Sequence, residues 1–236
     1  MQIQTSADVV SSTRTTSISV SDSRKGKTHF IGTMADHGKL FVIDVECGLS
    51  TITDKKFDFV TVHNWKEIEE ALEWYMLEGQ KTYTHLAIDS ITRIQSYLKE
   101  YLIQEPDSHK KNKGVMTMGK YDTLAIKLRK IVDVLTKQCT SSIHMTAMAQ
   151  EEKDKLTGAV KIFPNLQGGF KFDLVGYFDT ILYNQMGLDA KGNPAYWCEI
   201  AGTERNCAGT RLQKVKQAYP KVMPNDYTCI VNALKE

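Results

Sequence analysis

The sequence has few cysteines, little net charge and no long apolar run. Five cysteines occur in 236 residues, at positions 47, 139, 198, 207 and 229. Their odd number and the absence of a C-x-x-C pair exclude a disulfide framework and a zinc-ligand set, and they point to a reduced, cytoplasmic setting. No apolar stretch approaches the ~18–20 residues that span a bilayer. No basic-then-apolar leader opens the chain, so neither export nor a membrane partner is expected. A net charge of +2 excludes a protein-wide field, so attraction to a polyanion must come from local clusters. There is no internal repeat. What remains, 42% apolar and 25% charged residues, is enough for a substantial core. The length suits one elaborated α/β domain, or at most two small ones.

Residues 1–14 are rich in Gln, Ser and Thr and read as a flexible arm, with residues 15–236 as a single domain. Thr16–Val20 is β-prone, and Lys27–Ala35 is a helix that stops at Gly38. Leu40–Ile43 reads as a buried strand ending in Asp44-Val45-Glu46, which places both carboxylates on one face. Phe57–Val62 is a short strand. Asn64 caps a helix bearing Ile68, Ala71, Leu72, Tyr75 and Met76. Thr84–Ile88 is a strand ending in Asp89-Ser90, and a helix bearing Ile91, Ile94, Leu98 and Leu102 follows. Glu105–Gly119 has no periodicity and reads as a basic loop. Tyr121, Leu124, Leu128, Ile131, Val132 and Leu135 mark the clearest helix.

Ser142–Ala149 is a further strand. Glu151–Lys155 and Val160–Phe163 form a charged hairpin around Leu156-Thr157-Gly158. Phe178–Tyr183 and Tyr196–Ala201 are later strands, and Asp226–Leu234 closes the chain as helix or strand. His144, inside an apolar strand, reads as a core histidine. Strands alternate with helices over the first 150 residues or so. This pattern predicts an α/β fold with a mostly parallel central sheet flanked by helices, and a β-hairpin or antiparallel extension in the C-terminal half.

The most informative stretch is Ser21-Asp22-Ser23-Arg24-Lys25-Gly26-Lys27-Thr28. It ends like a P-loop, G-x-x-x-x-G-K-[ST], with Ser21 where the first Gly is usual. Such a turn between strand and helix wraps phosphates in backbone N–H groups. Gly26 lets the backbone close in, Lys27 reaches the β- and γ-phosphates, and the Thr28 hydroxyl holds Mg²⁺. Ser21 adds a Cβ where the turn is tight, which favours weak or slow nucleotide use, and Lys25 offers a second cation that compensates in part.

A P-loop, then a strand ending in Asp44-x-Glu46, then a strand ending in Asp89-Ser90, follow in an order that gathers all three at one sheet edge. That order, with Phe-Val-Ile-Asp-Val-Glu and Leu-Ala-Ile-Asp-Ser, resembles the RecA-like P-loop ATPase core. It looks most like the compact phage-encoded RecA-like proteins of the single-strand annealing and recombinase group. The likeness covers about Thr16 to Tyr183, with a weaker echo at Gly202-Thr-Glu-Arg205.

The resemblance implies an ATP hydrolase using ATP and Mg²⁺, with Thr28 and Asp89 on the metal and Glu46 as the carboxylate that activates water. It implies a polar sensor on the following strand, for which Gln150 is the first choice, ahead of Thr146, with Met148 a third register. Arg205 would reach a neighbour's γ-phosphate. Two loops would grip single-stranded DNA. The first carries Lys110, Lys111, Lys113 and Lys120; the second carries Lys153, Lys155, Lys161 and Lys171, with Phe163 and Phe170 to stack on bases. The implied partners are single-stranded DNA, further copies of the chain in a filament or ring, and a single-strand-binding protein. Two alternatives stay open: a non-hydrolysing scaffold on DNA, and a loader or motor ATPase acting on other proteins.

Overall fold

A computed structural model describes residues 14–105, 114–153 and 158–236. Residues 1–13 of the expected arm, Lys110, Lys111, Lys113, Lys155 and most of the hairpin turn lie outside the described residues, whereas Arg14, assigned to that arm, donates to Ser141 O and Thr136 O and belongs to the domain. The strands are β1 (Thr16–Ser21), β2 (Leu40–Asp44), β3 (Asp58–Thr61), β4 (His85–Asp89), β5 (Ser142–Lys153), β6 (Val160–Pro164), β7 (Thr180–Leu188), β8 (Pro194–Glu199), β9 (Gly209–Thr210) and β10 (Val222–Pro224). The helices are α1 (Lys27–Met34), α2 (Trp65–Leu77), α3 (Ile91–Gln104), α4 (Met118–Gln138), α5 (Phe170–Leu174), α6 (Gln213–Ala218) and α7 (Thr228–Lys235).

The ten-stranded sheet runs β10-β8-β7-β1-β5-β4-β2-β3, with β6 on β5 and β9 on β7. The strands from β7 across to β3 pair in parallel. β6, β8, β9 and β10 pair antiparallel to their neighbours. This is the expected layout of a parallel core with an antiparallel C-terminal extension, and it is consistent with a P-loop NTPase fold.

β1, β2 and β4 are buried at every residue, because helices cover both faces of a parallel sheet. Trp65, Ile68, Ile91, Leu98, Leu124, Val132 and Phe170 pack on one face. Phe30, Ile31, Met34, Val215 and Ile230 pack on the other. The Asn64 side chain accepts from Glu67 N at 3.1 Å and starts α2, as its position suggested. The closing segment resolves into helix α7. Among the described residues, no helix is long and apolar enough to cross a membrane.

Register aligns the site. Ser21 at the end of β1 pairs with Met148 on β5, and Asp44 at the end of β2 pairs with Asp89 on β4. The carboxyl ends of four strands therefore share one rim.

Candidate active site

β1 ends at Ser21, and the chain turns through 22–26 into α1. Arg24 and Gly26 take positive φ, at 62° and 83°. Gly26 is required twice over. Its φ disfavours a side chain, and a Cβ there would lie 2.5 Å from Asn225 Nδ2 and 2.9 Å from Tyr196 Cδ1. The Lys27 ammonium donates to Ser21 O at 3.0 Å and Asp22 O at 2.8 Å. Burial lowers its pKa, against the opposing pull of Asp89, Glu46 and Asp22. A lysine held mainly by loop carbonyls can exchange them for phosphate oxygens, a stronger charge-assisted contact.

Thr28 Oγ1 donates to Asp89 Oδ2 at 2.9 Å, and the Thr146 hydroxyl donates to Asp89 Oδ1. Asp89 is 3% exposed, and burial raises its pKa, against these two hydrogen bonds. Among the described residues, no group of three or more His, Cys, Asp or Glu side chains could hold a metal. Mg²⁺ does not need one: it takes one or two protein oxygens and completes its shell with phosphate and water. Thr28 and Asp89 offer such a pair beside Lys27, so the residues fit a magnesium–nucleotide complex.

Glu46 is exposed just beyond β2. Its backbone N–H donates to Asp89 O at 3.0 Å, and Ser90 Oγ donates to Glu46 Oε1 at 2.5 Å. Those bonds hold the carboxylate beside Asp89. Asp44 behaves differently from the sequence expectation. It is buried, and its Oδ1 accepts from Gly48 N at 3.3 Å, so it braces its own turn. Burial raises its pKa.

Thr146, Met148 and Gln150 lie on the same side of β5 in steps of two. Thr146 bonds Asp89, and Met148 Sδ sits 3.5 Å from Lys27 Nζ. Gln150 lies farther along and lines a cleft with Gln95, Tyr121 and Asn165. Of the sensor candidates, Thr146, the second choice, is the one bonded to Asp89, whereas Gln150, the first choice, lines the cleft instead. Arg205 is exposed at the rim, with Nη2 3.4 Å from Glu151 Oε1.

Two of the expected DNA contacts are corrected. Lys120 is 7% exposed, and its ammonium donates to Glu105 O at 3.0 Å and Ile103 O at 3.5 Å. It closes the C-terminal end of α3 instead of facing solvent. Phe170 is 1% exposed and belongs to the core. Phe172, two positions on and therefore on the opposite side of α5, is 49% exposed. It meets Phe163 edge-on, with ring centroids 4.9 Å apart. The outward aromatic pair is thus Phe163–Phe172. Lys153 and Lys161 are exposed on the β5–β6 hairpin. Lys171 is tied to Glu152.

Sequence reasoning missed Asn225, which is 3% exposed and donates from Nδ2 to Gly26 O at 2.8 Å. It also missed Tyr196, whose ring stacks on His29 at 6.2 Å. No local motif marks either residue.

A family model described as an AAA domain matches residues 16–212. A search of curated proteins returned no match.

Proposed function

As the chain belongs to the AAA domain family of P-loop ATPases, we propose that it is a Mg²⁺-dependent ATP hydrolase that assembles on single-stranded DNA and promotes homologous pairing or annealing. Phosphoryl transfer to water needs positioning and charge stabilisation more than covalent help. Lys27 and the P-loop amides hold the phosphates, Thr28 and Asp89 hold the metal, and Glu46 orients and deprotonates the attacking water. Bound Mg²⁺ neutralises charge on the phosphates.

One observation carries the DNA part. β5 is continuous from Ser142 to Lys153. The same strand joins Thr146, bonded to Asp89, to the hairpin bearing Lys153, Lys161 and Phe163. A strand paired along its length is stiff, so a shift at the nucleotide rim is carried to the hairpin. Lysines there meet phosphates, and Phe163 with Phe172 offers a stacking face. Exposed Arg205 serves a neighbour's nucleotide, which makes hydrolysis depend on assembly.

The test is ATP hydrolysis with and without single-stranded DNA at low salt, together with electron microscopy of the same mixtures. Wild type that binds neither ATP nor the single strand refutes the reading. Closed rings formed without DNA favour a loader or motor acting on proteins. Removing Lys153 and Lys161 together (both to Ala) is expected to lower the slope of log affinity against log salt by about 1.4, about 0.7 per lost phosphate contact. Titrations of a labelled oligonucleotide at several salt concentrations measure it.

Ser21, buried where the first P-loop glycine is usual, favours one second reading, a RecA-like scaffold that coats DNA and recruits a single-strand-binding protein without hydrolysis. In that case, phosphate release is negligible in wild type and unchanged by Glu46→Gln.

A further inference from the structure

The family model ends at residue 212, yet a side chain beyond it touches the P-loop. Asn225 follows β10 and is 3% exposed. Its Oδ1 accepts from Asn184 Nδ2 at 2.8 Å and from Cys198 Sγ at 3.1 Å. Gly26 O is only an acceptor, so the amide must turn its Nδ2 toward Gly26, where it donates at 2.8 Å. The Asn225 backbone N–H also donates to Tyr196 O at 3.3 Å.

We propose that Asn225 is a positioning residue for the phosphate cradle, so that the C-terminal segment sets how well the P-loop binds nucleotide. The peptide joining Gly26 to Lys27 is planar, and its C=O and N–H point in opposite directions. Fixing the Gly26 oxygen therefore fixes the Lys27 N–H, which faces out of the loop toward an anion. Phe30 N also bonds that oxygen, at 3.1 Å, as the first turn of α1. Asn225 adds a second restraint from outside the helix. The restraint matters here because Ser21 stands where a first P-loop glycine is usual and Arg24 already holds a positive φ. Asn184, also buried, orients Asn225 in turn and links the brace to β7.

This inference rests on the P-loop ATPase reading. The experiment measures the dissociation constant of a fluorescent ADP analogue, and kcat and KM for ATP, in wild type, Asn225→Ala and Asn225→Asp, with melting curves as a folding control. Asn225→Ala is expected to weaken nucleotide binding and raise KM about tenfold, with kcat at saturation within about twofold. Asn225→Asp differs by one group and retains the shape. At alkaline pH its carboxylate faces the Gly26 oxygen and binding is poor; on acidification it protonates, regains a donor, and approaches wild type. A residue that serves packing alone gives no such pH dependence.

Unchanged KM and dissociation constant in both variants, or a constant ratio of Asn225→Asp to wild type across pH, overturns the assignment while leaving the ATPase reading intact. Absence of nucleotide binding by wild type overturns both.

Discussion

Replacing Glu46 with Gln is expected to slow ATP hydrolysis by about 10²–10⁴-fold, the range for loss of a general base, while nucleotide affinity stays near that of wild type. The side chain keeps its length, so Ser90 Oγ, now 2.5 Å from Oε1, still has an oxygen to donate to. What is lost is the ability to take a proton from water. Lys27→Ala should fail differently. The ammonium that would meet the β- and γ-phosphates is gone, so affinity for nucleotide falls together with rate, by about 10²–10³ for one lost electrostatic contact. Measuring kcat and the dissociation constant of a fluorescent ADP analogue in both variants separates the two roles. Hydrolysis by Glu46→Gln at more than a tenth of the wild-type rate would remove Glu46 from the chemistry. Equal nucleotide affinity in Lys27→Ala would do the same for the P-loop lysine.

The parallel core was readable because its strands are short apolar runs between amphipathic helices. Leu40–Asp44 and His85–Asp89 are buried on both faces, and both end in the acids that sequence order had already picked out. Legibility stopped where tertiary contact decides a side chain's fate. Lys120 sits in a run of lysines, but it falls in the first turn of α4, within reach of the carbonyls that end α3. Phe170 and Phe172 are alike in composition and neighbourhood; a short helix buries one and exposes the other. Without knowing that residues 170–174 are helical, no periodicity separates them. The sensor register stayed ambiguous for a related reason. Thr146, Met148 and Gln150 alternate identically along β5, and only the pairing of Ser21 with Met148 shows which of them stands over Asp89 and Lys27. Asn225 was beyond any sequence motif, since its partner Gly26 lies 199 positions away.

His144 is expected to make the protein sensitive to acid well above the carboxylate range. Its ring is 0% exposed, tilted against Phe30 with centroids 4.6 Å apart. Nδ1 shares a hydrogen bond with Ser17 Oγ at 2.8 Å, and Nε2 has no partner among the described residues. Burial pushes its pKa down to about 3 from 6.5. Between these values the unfolded chain binds a proton that the folded one refuses, so stability is fully present above about pH 6.5 and is lost as pH falls toward about 3. Each pH unit in that window costs about 1.4 kcal/mol, or about 3 kcal/mol by pH 4. That is a large share of the 5–15 kcal/mol typical of a folded domain. Asp44 and Asp89, whose pKa values burial raises, act in the opposite sense, because folding favours their protonated forms. They are unchanged in His144→Gln, which cannot charge, so the difference between the two proteins isolates the histidine. Urea midpoints from about pH 7 down to pH 4 should fall more steeply in wild type than in His144→Gln; parallel profiles would mean that the ring does not stay neutral in the folded state.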